Sequence, residues 1–359
     1  MPPAADPASL PAGAPAHTRI AKRVREVDAR TLRGGDGTLA LPDELLRATE
    51  PWVCRGIGAA WPLVQAARRS PDDLDAYLRR FYNGHAVVAM LGPAEIDGRF
   101  HYNERVDGFN YHTVQARLDQ VLDELKVQRG RERPSSVYVG STAVDMALPG
   151  IRAENDLGLD ALDPLVSIWI GNQTRISAHF DSPDNLAVVA AGQRRFTLFP
   201  PDQLHNLYVG PIDFNPAGQA ISMVDFARPD DARFPRFAQA LQHAEVAELD
   251  AGDAIFIPSM WWHHVEALAS LNVLVNYWWN RMPRWMDNPT NTLMHALLSM
   301  RALPPEQRAA WQNIFRHYIF ESDEASLAHI PVDARYVLSP LDEDGARALR
   351  AHVLQRINR

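Results

Sequence analysis

Between about Pro134 and Asn280 the chain repeats one device: a short run rich in Val, Ile, Phe, Trp and Tyr, then a break made of Gly, Pro, Asn or Asp. The runs are "SSVYVGS", "LVSIWIGN", "NLAVVAAG", "RRFTLFPP", "DAIFIPS" and "NVLVNYWW". β-Branched and aromatic side chains suit a pleated, half-buried surface, and the intervening residues supply turns. This rhythm predicts a β-sandwich or barrel and leaves no room for a helical bundle in this stretch.

The flanks have a different character. Residues 1–17 are mostly Pro, Ala, Ser and Gly, which bury too little apolar area to offset the entropy of ordering, so a flexible tail is expected. Residues 18–133 mix signals. "PWVCRGI" and "HAVVAML" read as strands, "PDDLDAYLRRFYNG" as a helix opened by Asp and closed by Gly, and "HTVQARLDQVLDELKV" spaces Val114, Leu118, Val121, Leu122 and Leu125 as a helix does. An N-terminal α+β region packing on the core is the expectation. After Pro283 the pattern is helical again, with Leu293, Leu297 and Met300 on one face. "LPPEQRAAWQNIFRHYIF" then starts at a proline pair and carries Trp311, Ile314, Phe315 and Tyr318. The expected order is therefore 1–17 tail, 18–133 α+β, 134–283 β-core and 284–359 helices.

A formal charge of −8 argues against a general nucleic-acid surface, and no DNA groove is evident. The single cysteine, Cys54, excludes a disulfide framework. The N-terminus lacks the charged start and unbroken apolar run of a signal peptide, and no stretch approaches the roughly 18 apolar residues of a membrane span. A cytoplasmic location without membrane contact is expected.

Within the β-region, "AHFDSPDN" sets His179 and Asp181 two apart. On a strand such residues point to one face and can reach one point in space, although a strand-end His and a turn Asp bonded to backbone would look the same. A second stretch, "GDAIFIPSMWWHHVEAL", presents His263 and His264, and a double-stranded barrel would lay it beside the first. Two histidines and one carboxylate leave coordination positions open, as a non-haem iron(II) oxygenase requires, whereas zinc favours a closed tetrahedron or three ligands and one water. Neighbours on a strand point oppositely, so only one of His263 and His264 faces the interior. Alternation does not say which, because each shares its face with a tryptophan.

From about Pro51 to Trp279 the sequence resembles the cupin-like JmjC family of iron(II)- and 2-oxoglutarate-dependent oxygenases, in the branch of the asparaginyl hydroxylase that inhibits the hypoxia-inducible factor. The matching words are "SAHFDSPDNLAVVAAGQRRFTLFPPDQ", "VDFARPDDARFPRF", "GDAIFIPSMWWHHVEAL" and "VLVNYWW". The resemblance implies a mainly β fold with helices: a double-stranded β-helix, or jelly-roll, flanked by the α+β region and the C-terminal helices. It implies His179, Asp181 and His264 as iron ligands and catalytic centre, with His263 a structural neighbour. It also implies Arg194 for the distal carboxylate of 2-oxoglutarate, Tyr138 as a second donor there, and Asn185 and Asn276 near the carboxylate that chelates the metal. Arg195 should point the other way. Where the related hydroxylase has a threonine three residues before the first ligand, this chain has Ile176, so one hydroxyl contact to the cosubstrate is missing.

The implied activity consumes dioxygen and 2-oxoglutarate, releases succinate and carbon dioxide, and hydroxylates a C–H bond of a protein or peptide side chain or a small molecule. Competing readings are a cupin-type metalloenzyme that does not use 2-oxoglutarate, and a noncatalytic module that kept the barrel. The first leaves Arg194, Asn185 and Asn276 without a joint purpose, and the second usually shows a broken triad. Gly98–His112, "GRFHYNERVDGFNYH", is polar and aromatic and a candidate for the substrate edge. Trp261, Trp262, Trp278 and Trp279 could form an aromatic wall, but alternation sends about half of them outward. In the related hydroxylase a C-terminal helical pair makes the homodimer, and the Trp311 to Tyr318 face is apolar enough here to do the same.

Overall fold

The computed structural model describes residues 13–32, 39–216 and 218–358, and the chain divides into two compact units, Met1–Asn280 and Arg281–Arg359. Most of the expected tail, residues 1–12, lies outside the described residues. Its end does not behave as a tail: Ala16–Arg19 forms a turn of 3-10 helix, and the Ala16 N–H donates to Phe226 O at 2.8 Å. Ala16 and Ile20 supply the reason, since both bury against Phe226 and Phe237.

In the first unit the strands are, in chain order, β1 (Arg25–Val27), β2 (Trp52–Cys54), β3 (Ala86–Gly92), β4 (Arg99–Phe100), β5 (His112–Arg117), β6 (Ser136–Ala143), β7 (Leu165–Gly171), β8 (Arg175–His179), β9 (Asp184–Ala191), β10 (Gln193–Phe199), β11 (Glu245–Asp250), β12 (Ala254–Ile257), β13 (Trp262–Ala267) and β14 (Asn272–Trp279). They form a nine-stranded sheet ordered β1-β2-β12-β9-β14-β7-β6-β3-β5 and a five-stranded sheet ordered β11-β10-β13-β8-β4. Nearly all pairings are antiparallel. The inner faces of the two sheets share one apolar cluster, with Ala187, Val189, Ile255 and Leu274 from the larger and Phe196, Leu198, Leu249 and Val265 from the smaller. This is the jelly-roll expected from the sequence.

The strand period of two sorts every core strand into an inner and an outer set. On β7, Val166, Ile168 and Ile170 face out into a second cluster with the helices Pro62–Arg69 and Pro71–Phe81, while Trp169 faces in. The outer face of the smaller sheet is covered by Phe226, Phe237 and Leu241. The residue 18–133 region does more than pack on the core: β2, β3 and β5 are strands of the larger sheet and β4 of the smaller. Pro71–Phe81 is helical as expected, capped by Ser70, whose Oγ accepts the Asp73 N–H at 3.0 Å. The next expected helix starts later. His112–Arg117 is strand paired with β3, and the helix runs Leu118–Arg129, because β-branched Thr113 and Val114 favour the ladder that β3 offers.

The second unit contains the helices Pro289–Met300 and Pro305–Phe315, each with proline in its first turn. No helix among the described residues is long and apolar enough to cross a membrane.

Candidate functional site

Strand β8 ends on His179, and Asp181 follows in the turn to β9, where its carbonyl accepts the Met260 N–H at 2.9 Å. That bond ties the turn to the segment entering β13. His179 and His263 stand opposite one another in the β8–β13 ladder, their ring centroids 4.3 Å apart. Asp181 Oδ2 lies 3.7 Å from His263 Nε2, and one ligand atom from each of the three residues falls within 4.8 Å of the others.

Both imidazoles are oriented from behind. His179 Nδ1 is 2.9 Å from Ser177 O, and His263 Nδ1 is 3.1 Å from Trp261 O. A carbonyl only accepts, so Nδ1 carries the proton in each ring and the Nε2 lone pair is left to face the site. Burial, and then the neighbouring His179, push the His263 pKa down to about 4. The ring is therefore neutral near pH 7, as a metal ligand must be.

The third member of this group is His263 and not His264, a correction to the set that the resemblance implied. The reason is register. Val265 faces inward with Ile176 opposite it, so alternation sends His264 outward and returns His263 to the interior, while a bulge on β8 absorbs the extra residue. His264 lies over Phe226, ring centroids 4.4 Å apart, and burial lowers its pKa to about 4 as well. The sequence could not choose because both faces of "WWHHV" are apolar and buried. Trp261 and Trp278 share inward faces with the site, whereas Trp262 and Trp279 pack in the outer clusters.

Arg194 points inward from β10, 1% exposed, and burial lowers its pKa. The Tyr138 hydroxyl faces it from β6; its pKa is raised to about 12 by burial against the opposing pull of the guanidinium. Arg195 faces out and pairs with Glu248 and Glu266 at 2.8 and 3.2 Å. Asn276 on β14 donates Nδ2–H to Asn185 Oδ1 on β9 at 2.8 Å. Tyr138 stacks on Trp169, and Trp169 meets Trp278 edge-on, both at 5.8 Å between centroids. Ile176 packs among Tyr138, Trp169 and Phe100.

What these inward groups lack is partners. Eight buried side-chain atoms among the described residues have none, and five belong here: Arg194 Nε and Nη2, Asn276 Oδ1, Trp169 Nε1 and Trp278 Nε1. Buried polar atoms are almost always paired, so the four unpaired donors among these mark a place for an acceptor-rich ligand, and Asn276 Oδ1 is an acceptor at its edge. Two histidines with Nε2 left toward the site, one carboxylate side chain and an anion-sized set of donors fit a divalent metal with a carboxylate cosubstrate. The Gly98–His112 segment reaches the same place, since Phe100 and Tyr111 cluster with Tyr138. Trp169 was not among the candidates read from the sequence; its one signal there is an indole set between two outward isoleucines on a strand.

Comparison with known proteins agrees with the geometry. The family model described as a cupin-like domain matches residues 38–284, more than half of the chain. The chain is 33% identical over 129 residues to "Lysine-specific demethylase JMJ31" of Arabidopsis thaliana, covering 34% of this chain and 23% of that one. It is 32% identical over 153 residues to human "HSPB1-associated protein 1", covering 41% and 30%. It is 30% identical over 145 residues to human "tRNA wybutosine-synthesizing protein 5", covering 36% and 43%. The matched stretch is thus less than half of each relative's own length.

Proposed function

We propose, on the premise that the chain belongs to the cupin-like domain family, that it is an iron(II)- and 2-oxoglutarate-dependent oxygenase that hydroxylates a protein or peptide side chain or a small molecule. The observation that carries this reading is the pairing of the His179, Asp181, His263 group with the partnerless, fully buried guanidinium atoms of Arg194. A buried cation without a counter-ion is costly, and a bound carboxylate would satisfy it with two parallel N–H donors.

His179 Nε2, Asp181 and His263 Nε2 would hold the metal, which would activate dioxygen, the oxidant for the C–H bond, with 2-oxoglutarate as the two-electron reductant. The chain's own share is positional. Ser177 O and Trp261 O fix the two imidazole tautomers, Arg194 and Tyr138 hold the far carboxylate, and the bonded pair Asn276 and Asn185 lies beside the other end. Trp169, Trp278 and the inner apolar cluster keep water from the site. Phe100 and Tyr111 place the Gly98–His112 segment at the substrate edge.

Anaerobic titration of the metal-free protein with iron(II) and then 2-oxoglutarate tests the reading. A weak visible charge-transfer band is expected, lost in Asp181→Ala and in Arg194→Ala. Iron binding without any band on adding 2-oxoglutarate would sink cosubstrate use and move the chain to other cupin metal chemistry.

A cytoplasmic location belongs to the same proposal, supported by a single cysteine that can form no disulfide within the chain. So does a homodimer through the second unit. Leu293, Met294, Leu298, Trp311, Ile314 and Phe320 are all exposed there, from 41% to 79%, and a second copy would bury them. Sedimentation at micromolar concentration should give twice the chain mass; a monomer would remove the dimer and leave the oxygenase reading intact.

A further inference from the structure

The nine tryptophans do not treat their indole N–H groups alike. Trp52 donates to Leu45 O at 3.0 Å, Trp61 to Asp156 O at 3.2 Å and Trp261 to Thr49 O at 2.9 Å. Buried tryptophans usually find such a partner. Trp169 and Trp278 are the two whose Nε1 is buried with no acceptor among the described residues, and both face the barrel interior. Three other buried indoles are paired with backbone carbonyls, so these two donors stand apart.

Their places differ. Trp278 lies opposite Asn185 in the β9–β14 ladder, on the side of the amide pair. Trp169 lies flat against Tyr138, the residue that faces Arg194, and packs, as Ile176 does, on the cluster of Phe100, Tyr111 and Tyr138. Ile176 is the position at which the resemblance calls for a hydroxyl donor. The donor missing from β8 thus has an unpaired N–H on β7 at the same cluster.

Resting on the oxygenase reading, we infer that Trp169 is a cosubstrate-binding residue whose indole Nε1–H donates to the distal carboxylate of 2-oxoglutarate, beside Arg194 and Tyr138, in place of the hydroxyl that Ile176 lacks. Three donors of different shape then surround one carboxylate, and the flat contact with Tyr138 keeps the indole from turning away. The contact adds nothing for a 2-oxo acid that ends in a methyl group, so Trp169 sets the preference for a dicarboxylate.

The experiment compares wild-type protein and Trp169→Phe, each loaded anaerobically with iron(II). Both are titrated with 2-oxoglutarate and with 2-oxobutanoate, which keeps the chelating end and lacks the distal carboxylate. Trp169→Phe should weaken 2-oxoglutarate about tenfold, the size expected for a hydrogen bond to a charged group, and leave 2-oxobutanoate within about twofold. Adding Ile176→Thr to Trp169→Phe should restore most of the loss. Benzothienylalanine at position 169 keeps the bicyclic shape, removes only the N–H, and repeats the test without disturbing the packing. Equal binding of 2-oxoglutarate by wild type and these variants, or an equal loss for both acids, overturns the role of Trp169 while the oxygenase reading stands. Absence of any 2-oxoglutarate band in the wild type overturns both.

Discussion

Strand β14 carries two kinds of buried polar group back to back. Tyr277 faces outward and donates to Asp156 Oδ1 at 2.9 Å, within a network where Asn155 accepts the Leu63 N–H at 2.9 Å and donates to Tyr77 Oη at 2.7 Å and Ile151 O at 2.8 Å. Asn276 and Trp278, its neighbours in sequence, face inward with Oδ1 and Nε1 unpartnered. The outer network is closed at Tyr277, Asn155 and Tyr77 and holds the helices to the sheet, whereas the inner groups are open and wait on something from outside. On β14, burial alone does not separate the two faces; satisfaction does.

Strand β13 divides by direction and not by satisfaction, since the outward His264 has both ring nitrogens unpartnered while the inward His263 bonds Trp261 O, and breaking it there gives the largest effect. His263→Ala should weaken iron(II) binding by more than about a hundredfold, since even the loss of a group behind a ligand costs about 10–100-fold. His264→Phe, on the outer face beside Phe226, should bind iron within a few-fold of wild type. Equilibrium dialysis of the two variants decides it, and the reverse ranking would mean that the register drawn for β13 is wrong.

In the closed network the reporter is stability. Asn155→Ala removes the acceptor for the buried Leu63 N–H and the donor to Tyr77, and should cost about 3 kcal/mol, at the upper end for stranded buried partners. Urea unfolding of the metal-free protein measures this. Iron affinity should not move, and if it does, the outer network is coupled to the site through β14.

Much of this was legible in the sequence, for reasons that can be named. The β-rhythm gave the jelly-roll because alternation and turn residues are local signals, and H-x-D gave two members of the His179, Asp181, His263 group because residues two apart, at a strand end and in the turn after it, lie close together. The choice between His263 and His264 was not legible. It depends on the β8–β13 register and a bulge, which are set by pairing partners far apart in the chain. The late start of the Leu118–Arg129 helix has a similar cause, the edge that β3 offers to Thr113 and Val114. Trp169 was hidden because a tryptophan in an apolar strand looks like core until its N–H is seen to lack an acceptor.

The outward histidine also predicts a pH response. Burial holds His264 near pKa 4, below the ordinary 6.5, so as pH falls below 6.5 the unfolded chain takes up a proton that the folded chain refuses. Stability of the metal-free protein should therefore decline between pH 6.5 and 4. His264→Phe should lessen that decline by about 2 kcal/mol, allowing for partial relaxation of the site. An unchanged slope would show that His264 is solvated in the folded state.

The smallest expected effect has the opposite sign, and that is its value. In a closed network every polar deletion destabilises, but Arg194 is a fully buried guanidinium with Nε and Nη2 unpaired. Arg194→Met keeps the length and apolar stem of the side chain and removes a charge that burial disfavours. The metal-free variant should therefore unfold about 1 kcal/mol later than wild type, in the range seen when buried charges are exchanged for apolar residues of similar size. With iron(II) and saturating 2-oxoglutarate the order should reverse, because only the wild type gains the stabilisation of a bound dicarboxylate. Thermal unfolding with and without the pair of ligands reads both signs in one experiment. If Arg194→Met destabilises the metal-free protein as Asn155→Ala does, the inner cluster is as closed as the outer one, and Arg194 serves the fold.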